Sequence, residues 1–139
     1  MHTVAGILRK KGPHTNYVTA DSTVLKAAEI LKQKNRSYLI VRSKGKYAGI
    51  ITEKDCVHKL ILKEKDPRTT LVKEIMTTAL PVVELVDNAE QSMILINSSK
   101  QRYLTAFEGD KFKGIITIHD LMNEALAEHE IKGHHVFVD

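Results

Sequence analysis

With a single cysteine, Cys56, among 139 residues, the chain cannot form an internal disulfide. No apolar run approaches the roughly 20 residues that span a bilayer. The N-terminus has neither a hydrophobic stretch nor a small-residue cleavage site, so no secretory leader is expected. Together these absences predict a cytoplasmic protein in a reducing compartment, with no membrane association. Aromatics are scarce, at 4 Tyr and 3 Phe, and several fall in predicted strands. Single-stranded nucleic-acid binding needs exposed aromatic platforms and clustered cations. Here Arg9-Lys10-Lys11 is the lone basic cluster, and nucleic acid is not an expected partner. Also lacking are a nucleophile–base pair, a Walker-type loop and a metal-ligand constellation, so neither an enzyme nor a catalytic cofactor is expected. The net charge of +4 and pI of about 9.1 still favour an anionic partner.

What the chain does have is a repeat. Gly49-Ile50-Ile51-Thr52-Glu53-Lys54-Asp55 returns as Gly114-Ile115-Ile116-Thr117-Ile118-His119-Asp120, 65 residues later. Such a period signals two copies of one supersecondary unit. Thr3–Lys11 reads as a short amphipathic helix capped by Thr3 and ended by Gly12-Pro13. In the first copy Tyr17–Thr19 is extended. Asp21 or Ser22 is expected to cap a helix with Val24, Ala27, Ala28 and Leu31 on its apolar face. A hairpin turns at Lys44-Gly45-Lys46, and a helix runs from Thr52 to about Lys63. A short linker helix, Leu71–Met76, leads to the second copy. There Val82–Leu85 is extended, Asp87 or Asn88 caps a helix, the hairpin turns at Gly109-Asp110, and His119–Glu128 is the closing helix. The pattern is β-α-β-β-α twice, an α/β (α+β) fold. Repeat one is placed at 15–66, repeat two at 78–128 and a tail at 129–139. The copies are expected to align at +66 as far as Arg36 with Arg102, and at +65 beyond a hairpin one residue shorter in the second copy.

In each copy the threonine falls at the strand-to-helix junction, where unpaired amides and the helix dipole favour a phosphate. Asp55 and Asp120 follow one turn later. A carboxylate is acceptor-only and suits the vicinal hydroxyls of a ribose. Thr-x-x-Asp at a helix start is equally a capping box, which needs no ligand. Cys56 is expected to be a passive, partly buried thiol. His129, His134 and His135 read as a tail rather than a metal site.

These residues resemble a cystathionine-β-synthase (CBS) domain pair, or Bateman module, over nearly the whole chain. Asp21–Ala28, the two glycine motifs and Val72-Lys73-Glu74-Ile75-Met76-Thr77 carry the resemblance. It is similar in particular to small stand-alone bacterial CBS-pair proteins. The resemblance implies pseudo-two-fold repeats that dimerise into a disc, with up to two inter-repeat clefts for adenine ligands such as AMP, ATP or NAD. It assigns Asp55 and Asp120 to ribose, and Thr52 and Thr117 to phosphate. Arg36 and Arg102 align near a common basic phosphate contact. From its place beside the second motif, His119 is a candidate phosphate contact, with a surface or cap role equally open. The segment Val18-Thr19-Ala20, with Thr19 and Ala20 as its contacts, faces adenine; Glu84-Leu85-Val86 does so in copy two, with Leu85 opposite Thr19. Neither copy keeps the family's Leu-Pro-Val proline. The expected role is regulatory: a homodimer that senses nucleotide and signals to another protein. The alternatives are a dimerisation scaffold with vestigial sites and, behind it, a nucleic-acid binder.

Overall fold

The computed structural model describes residues 2–131. Contacts divide the chain into two units, residues 14–79 and a second formed by residues 80 onward together with the first 13. Each holds one three-stranded sheet.

In the first unit β1 (Tyr17–Thr19) runs parallel to β2 (Tyr38–Ser43), with α2 (Val24–Lys34) as the crossover. The β2 strand then pairs antiparallel with β3 (Lys46–Thr52) through a two-residue turn, in which Lys44 and Gly45 both have positive φ, at 52° and 77°. The Val18, Val24, Ala27, Leu31, Leu39, Val41 and Ile51 side chains form the core between helix and sheet. Thr23, rather than Asp21 or Ser22, caps α2, its hydroxyl accepting from the Lys26 amide at 3.2 Å. Asp21 instead meets the Lys73 amine at 2.9 Å, and this hydrogen bond raises the lysine's pKa. Ala28, expected in the core, is exposed; Ile30 packs there in part.

After β3 a single helical turn, α3 (Glu53–Asp55), widens into a π segment over Cys56–Ile61. The expected regular helix to Lys63 is therefore not what forms: Leu62 N–H donates back to Val57 C=O at 3.0 Å, five residues away. The short α4 (Val72–Ile75) is more than a linker, because Val72 and Ile75 are fully enclosed in this unit's core.

The second unit repeats the plan with β4 (Val82–Glu84), α5 (Ala89–Ser99), β5 (Tyr103–Glu108), β6 (Lys111–Thr117) and α6 (Ile118–Ile131). Its core joins Val83, Ile96, Leu104, Ala106, Ile116 and Leu121 to Val4 and Ile7 of α1 (Val4–Lys11). Thr3 caps α1 as expected, accepting from the Gly6 amide at 3.1 Å. Residues 132–139, with His134 and His135, lie outside the described residues.

The strands and crossover helices match at a constant offset of 65, and the β-bulges at Val41/Arg42 and Ala106/Phe107 do so as well. The expected +66 register and shorter second hairpin are corrected: both hairpin loops have two residues. Thr23 thus corresponds to the Asn88 cap, Val24 to Ala89, Leu31 to Ile96, and Arg36 to Gln101 rather than Arg102. Ser92, opposite Ala27, is buried because its hydroxyl donates to Asn88 C=O at 3.0 Å. A polar residue thus holds an apolar slot, which is why hydrophobic matching alone slipped by one.

The short helices obey the repeat too. Val72 N–H donates to Ser22 C=O at 2.8 Å and Lys73 N–H to Ala20 C=O at 3.0 Å. In return Val24 N–H donates to Thr70 C=O at 2.9 Å. In the other unit Val4, Ala5 and Ala89 make the equivalent bonds to Asp87 (2.8 Å), Leu85 (3.0 Å) and His2 (2.9 Å). The helix that precedes each copy in sequence is clipped onto the other.

Candidate ligand site

Each unit turns its last strand into a helix through the same corner. Thr52 is extended, at φ −118° and ψ 163°, and starts α3. Its hydroxyl accepts from the Asp55 amide at 3.0 Å, and Asp55 Oδ2 accepts from the Thr52 amide at 3.0 Å. In the second unit Thr117 and Asp120 do the same, at 3.1 and 2.8 Å. Both are capping boxes, which satisfy amides that a helix start leaves unpaired.

The remaining acceptors are used differently. Asp55 Oδ1 accepts from the Thr77 hydroxyl at 2.8 Å and from Lys59 Nζ at 2.8 Å. Lys59 lies one helical turn on, and it also reaches Ile75 C=O at 3.2 Å. Thr77 is held there by a backbone pair with Ile50, Ile50 N–H to Thr77 C=O at 2.9 Å and the return bond at 2.7 Å. Gly49 permits that approach, since a Cβ at this position would meet the Thr77 carbonyl oxygen at 2.5 Å. In the second unit the cation comes from α1. Lys11 Nζ meets Asp120 Oδ2 at 2.8 Å and Ile115 C=O at 2.9 Å. Position 124, which matches Lys59, is glutamate, buried beside Lys10 at 3.4 Å and His2 at 3.3 Å. Asp120 Oδ1 accepts no hydrogen bond among the described residues, and the Asp120 side chain is 16 % exposed against 6 % for Asp55.

The other expected residues are dispersed. Thr19 is exposed, its hydroxyl 2.6 Å from that of Ser22. Ala20 is buried, its amide donating to Arg42 C=O at 2.8 Å. At the +65 register the counterpart of Thr19 is Glu84, and Leu85 corresponds to Ala20, correcting the expected pairing. His119 is exposed. Arg36 lines a groove of about 690 Å³ with Lys32, Asn35, Ser37, Glu53 and Val57. Arg102 lines one of about 560 Å³ with Met93, Asn97, Lys100, Gln101 and Ile118. The two grooves occupy matching places in the two units, and no motif threonine or aspartate lines either. Cys56 borders the first groove. Burial, then the charges of Asp55 and Glu53, push its thiol pKa up, away from the reactive thiolate.

Lys11, Lys59 and Thr77 were not among the site residues expected from the sequence. Lys59 carried a signal in its i+4 spacing from Asp55. Lys11 carried none, because it reaches Asp120 across 109 residues of chain.

The comparisons agree with this architecture. The CBS domain family profile matches residues 5–62 and 72–127, and the chain belongs to that family. A putative signal-transduction protein with CBS domains from Burkholderia ambifaria superposes with a TM-score of 0.85 at 30% identity, covering 99% of this chain and 100% of that one. The CBS domain structure NE2398 gives 0.81 at 33% identity, covering 90% and 98%. Among curated relatives, the mitochondrial CBS domain-containing protein CBSX3 of Arabidopsis thaliana is 26% identical over 136 residues. The match takes in 91% of this chain and 66% of that protein.

Proposed function

We infer that the chain is a regulatory module that binds an adenine nucleotide, of the AMP, ATP or NAD class, and passes its occupancy to another protein by a change in conformation. The observation that carries this reading is the Thr-x-x-Asp corner built twice, with Asp120 keeping an acceptor oxygen beside a helix N-terminus. A phosphate suits the helix end and a ribose suits the carboxylate. The chain's net positive charge supports an anionic ligand. A non-catalytic role is part of the reading. It is supported by a thiol held away from its nucleophilic form. A cytoplasmic setting belongs to it too, in keeping with the lone cysteine.

Self-association is a further part of the proposal. Val57, Ile61 and Leu62 are exposed in the first unit, at 45 %, 61 % and 68 %, and Ile94, Met122 and Leu126 in the second. Val57 and Ile61 match Met122 and Leu126 at the 65-residue offset, so the apolar stripe is itself repeated. Contiguous exposed stripes of this kind mark contact surfaces. Related CBS-CP12 proteins of cyanobacteria are hexameric.

The test is thermal unfolding against AMP, ADP, ATP, NAD, S-adenosylmethionine and guanine nucleotides. A ligand at 100 times its Kd adds about 2.7 kcal/mol, a shift of several degrees for this size. A shift confined to adenine compounds is expected. No shift with any of them would replace this reading with a dimerisation scaffold.

A further inference from the structure

We propose that the two corners are not equivalent as binding sites: the chain takes one nucleotide, at Asp120, and Lys59 with Thr77 closes the corner at Asp55. The proposal rests on the nucleotide-binding reading above and names which half of the repeat carries it.

The two carboxylates differ in how many acceptor positions are already used. A carboxylate offers roughly four lone-pair positions. Asp55 has committed one to the Thr52 amide, one to the Thr77 hydroxyl and one to Lys59 Nζ. About one remains, on a side chain 6 % exposed. A ribose presents two vicinal hydroxyls and would have to displace Thr77 or Lys59. Thr77 is tied by its backbone pair with Ile50, and Lys59 by its second bond to Ile75 C=O. Displacing either exchanges a hydrogen bond already made for the new one, so the exchange returns little net stabilisation. At Asp120 both protein donors, the Thr117 amide and Lys11, converge on Oδ2. Among the described residues Oδ1 accepts no hydrogen bond, which leaves both of its lone pairs for one or both hydroxyls.

Lys11 becomes a positioning residue. It bonds both Ile115 C=O and Asp120 Oδ2, so the carboxylate is held by Oδ2 before any ligand arrives. The sequence carries the same asymmetry. The position that supplies Lys59 in one copy supplies Glu124 in the other, where Lys10 and His2 engage it away from Asp120.

The experiment is calorimetric titration of the full chain with AMP and with its 2′,3′-dideoxy analogue. One AMP per chain is expected, with the dideoxy analogue bound at least about tenfold more weakly, since a hydrogen-bonding site rejects a ligand lacking its hydroxyl. Asp120→Asn keeps an acceptor for the Thr117 amide, and is expected to abolish both the tight binding and the discrimination. Lys11→Met should reduce the discrimination, and Lys11→Arg should restore it, a rescue that a purely structural lysine would not show in this readout. Two AMP per chain would overturn the proposal. So would one AMP whose discrimination survives Asp120→Asn and is lost in Asp55→Asn. Absence of binding by AMP, ATP and NAD alike would overturn the nucleotide reading itself, a result distinguishable from either of those.

Discussion

Two copies of one corner sit in this chain with the same backbone and different surroundings. Thr52–Asp55 and Thr117–Asp120 make matching capping boxes within 0.2 Å. Beyond that box they diverge. The first corner takes its cation from its own helix and adds a hydroxyl from the next segment; the second borrows its cation from α1. The helix after the first corner is widened into a π segment, whereas α6 has regular geometry over 14 residues. Near the hairpins, Arg42 lies 3.4 Å over the Tyr17 ring in one unit, while Phe107 and Phe112 meet edge to face at 5.8 Å in the other. The lesson is that a capping box defines the path of the chain and nothing more. Whether its carboxylate can serve a ligand depends on the donors that arrive from elsewhere.

The comparison can be broken most severely at Gly49. Gly49→Ala places a methyl against the Thr77 backbone, and the segment that delivers the Thr77 hydroxyl must move. A loss of about 3 kcal/mol is expected by urea denaturation, at the upper end of overpacking costs. A change below about 0.5 kcal/mol would show that the Ile50–Thr77 pairing is not under such constraint. Next come the aspartates. Asp55→Ala removes a cap and takes an acceptor from the part-buried Thr77 hydroxyl and from Lys59, at an expected cost of about 2 kcal/mol. Asp120→Ala removes a cap and one partly exposed ion pair, at about 1 kcal/mol. Equal losses at the two positions would erase the distinction drawn between them.

The smallest effect concerns Tyr47, whose place the second copy fills with Phe112. Burial pushes the Tyr47 hydroxyl up to about 12. In the unfolded chain it ionises near 10. Between these values the folded state holds the extra proton, so this contribution to stability is complete below pH 10 and is lost as pH rises through about 12. Urea midpoints from pH 9 to 11.5 should fall more steeply for the wild type than for Tyr47→Phe. Equal slopes would assign the alkaline loss to other groups.

Much of the architecture was legible in the residues. The Gly-Ile-Ile-Thr motif repeats at the offset that the whole fold keeps, and the strand and helix periods place most elements correctly. The register of the first crossover helix was not legible, because Ser92 occupies a core slot opposite Ala27 and hydrophobic matching reads it as a surface position. The π segment was missed because Cys56–Ile61 carries an ordinary helical pattern. Thr52, Asp55, Thr117 and Asp120 were found as the corners, in both their capping and their ligand-holding senses. Arg36 and Arg102 were paired with each other, yet they fall one position apart in the repeat and line grooves that the motif threonines and aspartates do not line.

The sequence by itself determined the duplication, the β-α-β-β-α order and the two corners, since these rest on local periodicity, caps and turns within a few residues. Only the tertiary structure decided which acceptors remain at each corner. That depends on Lys11 meeting Asp120 across 109 residues, and on Thr77 meeting Asp55 across 22. Such meetings follow from packing α1 and α4 onto their sheets, and no local rule of spacing contains them.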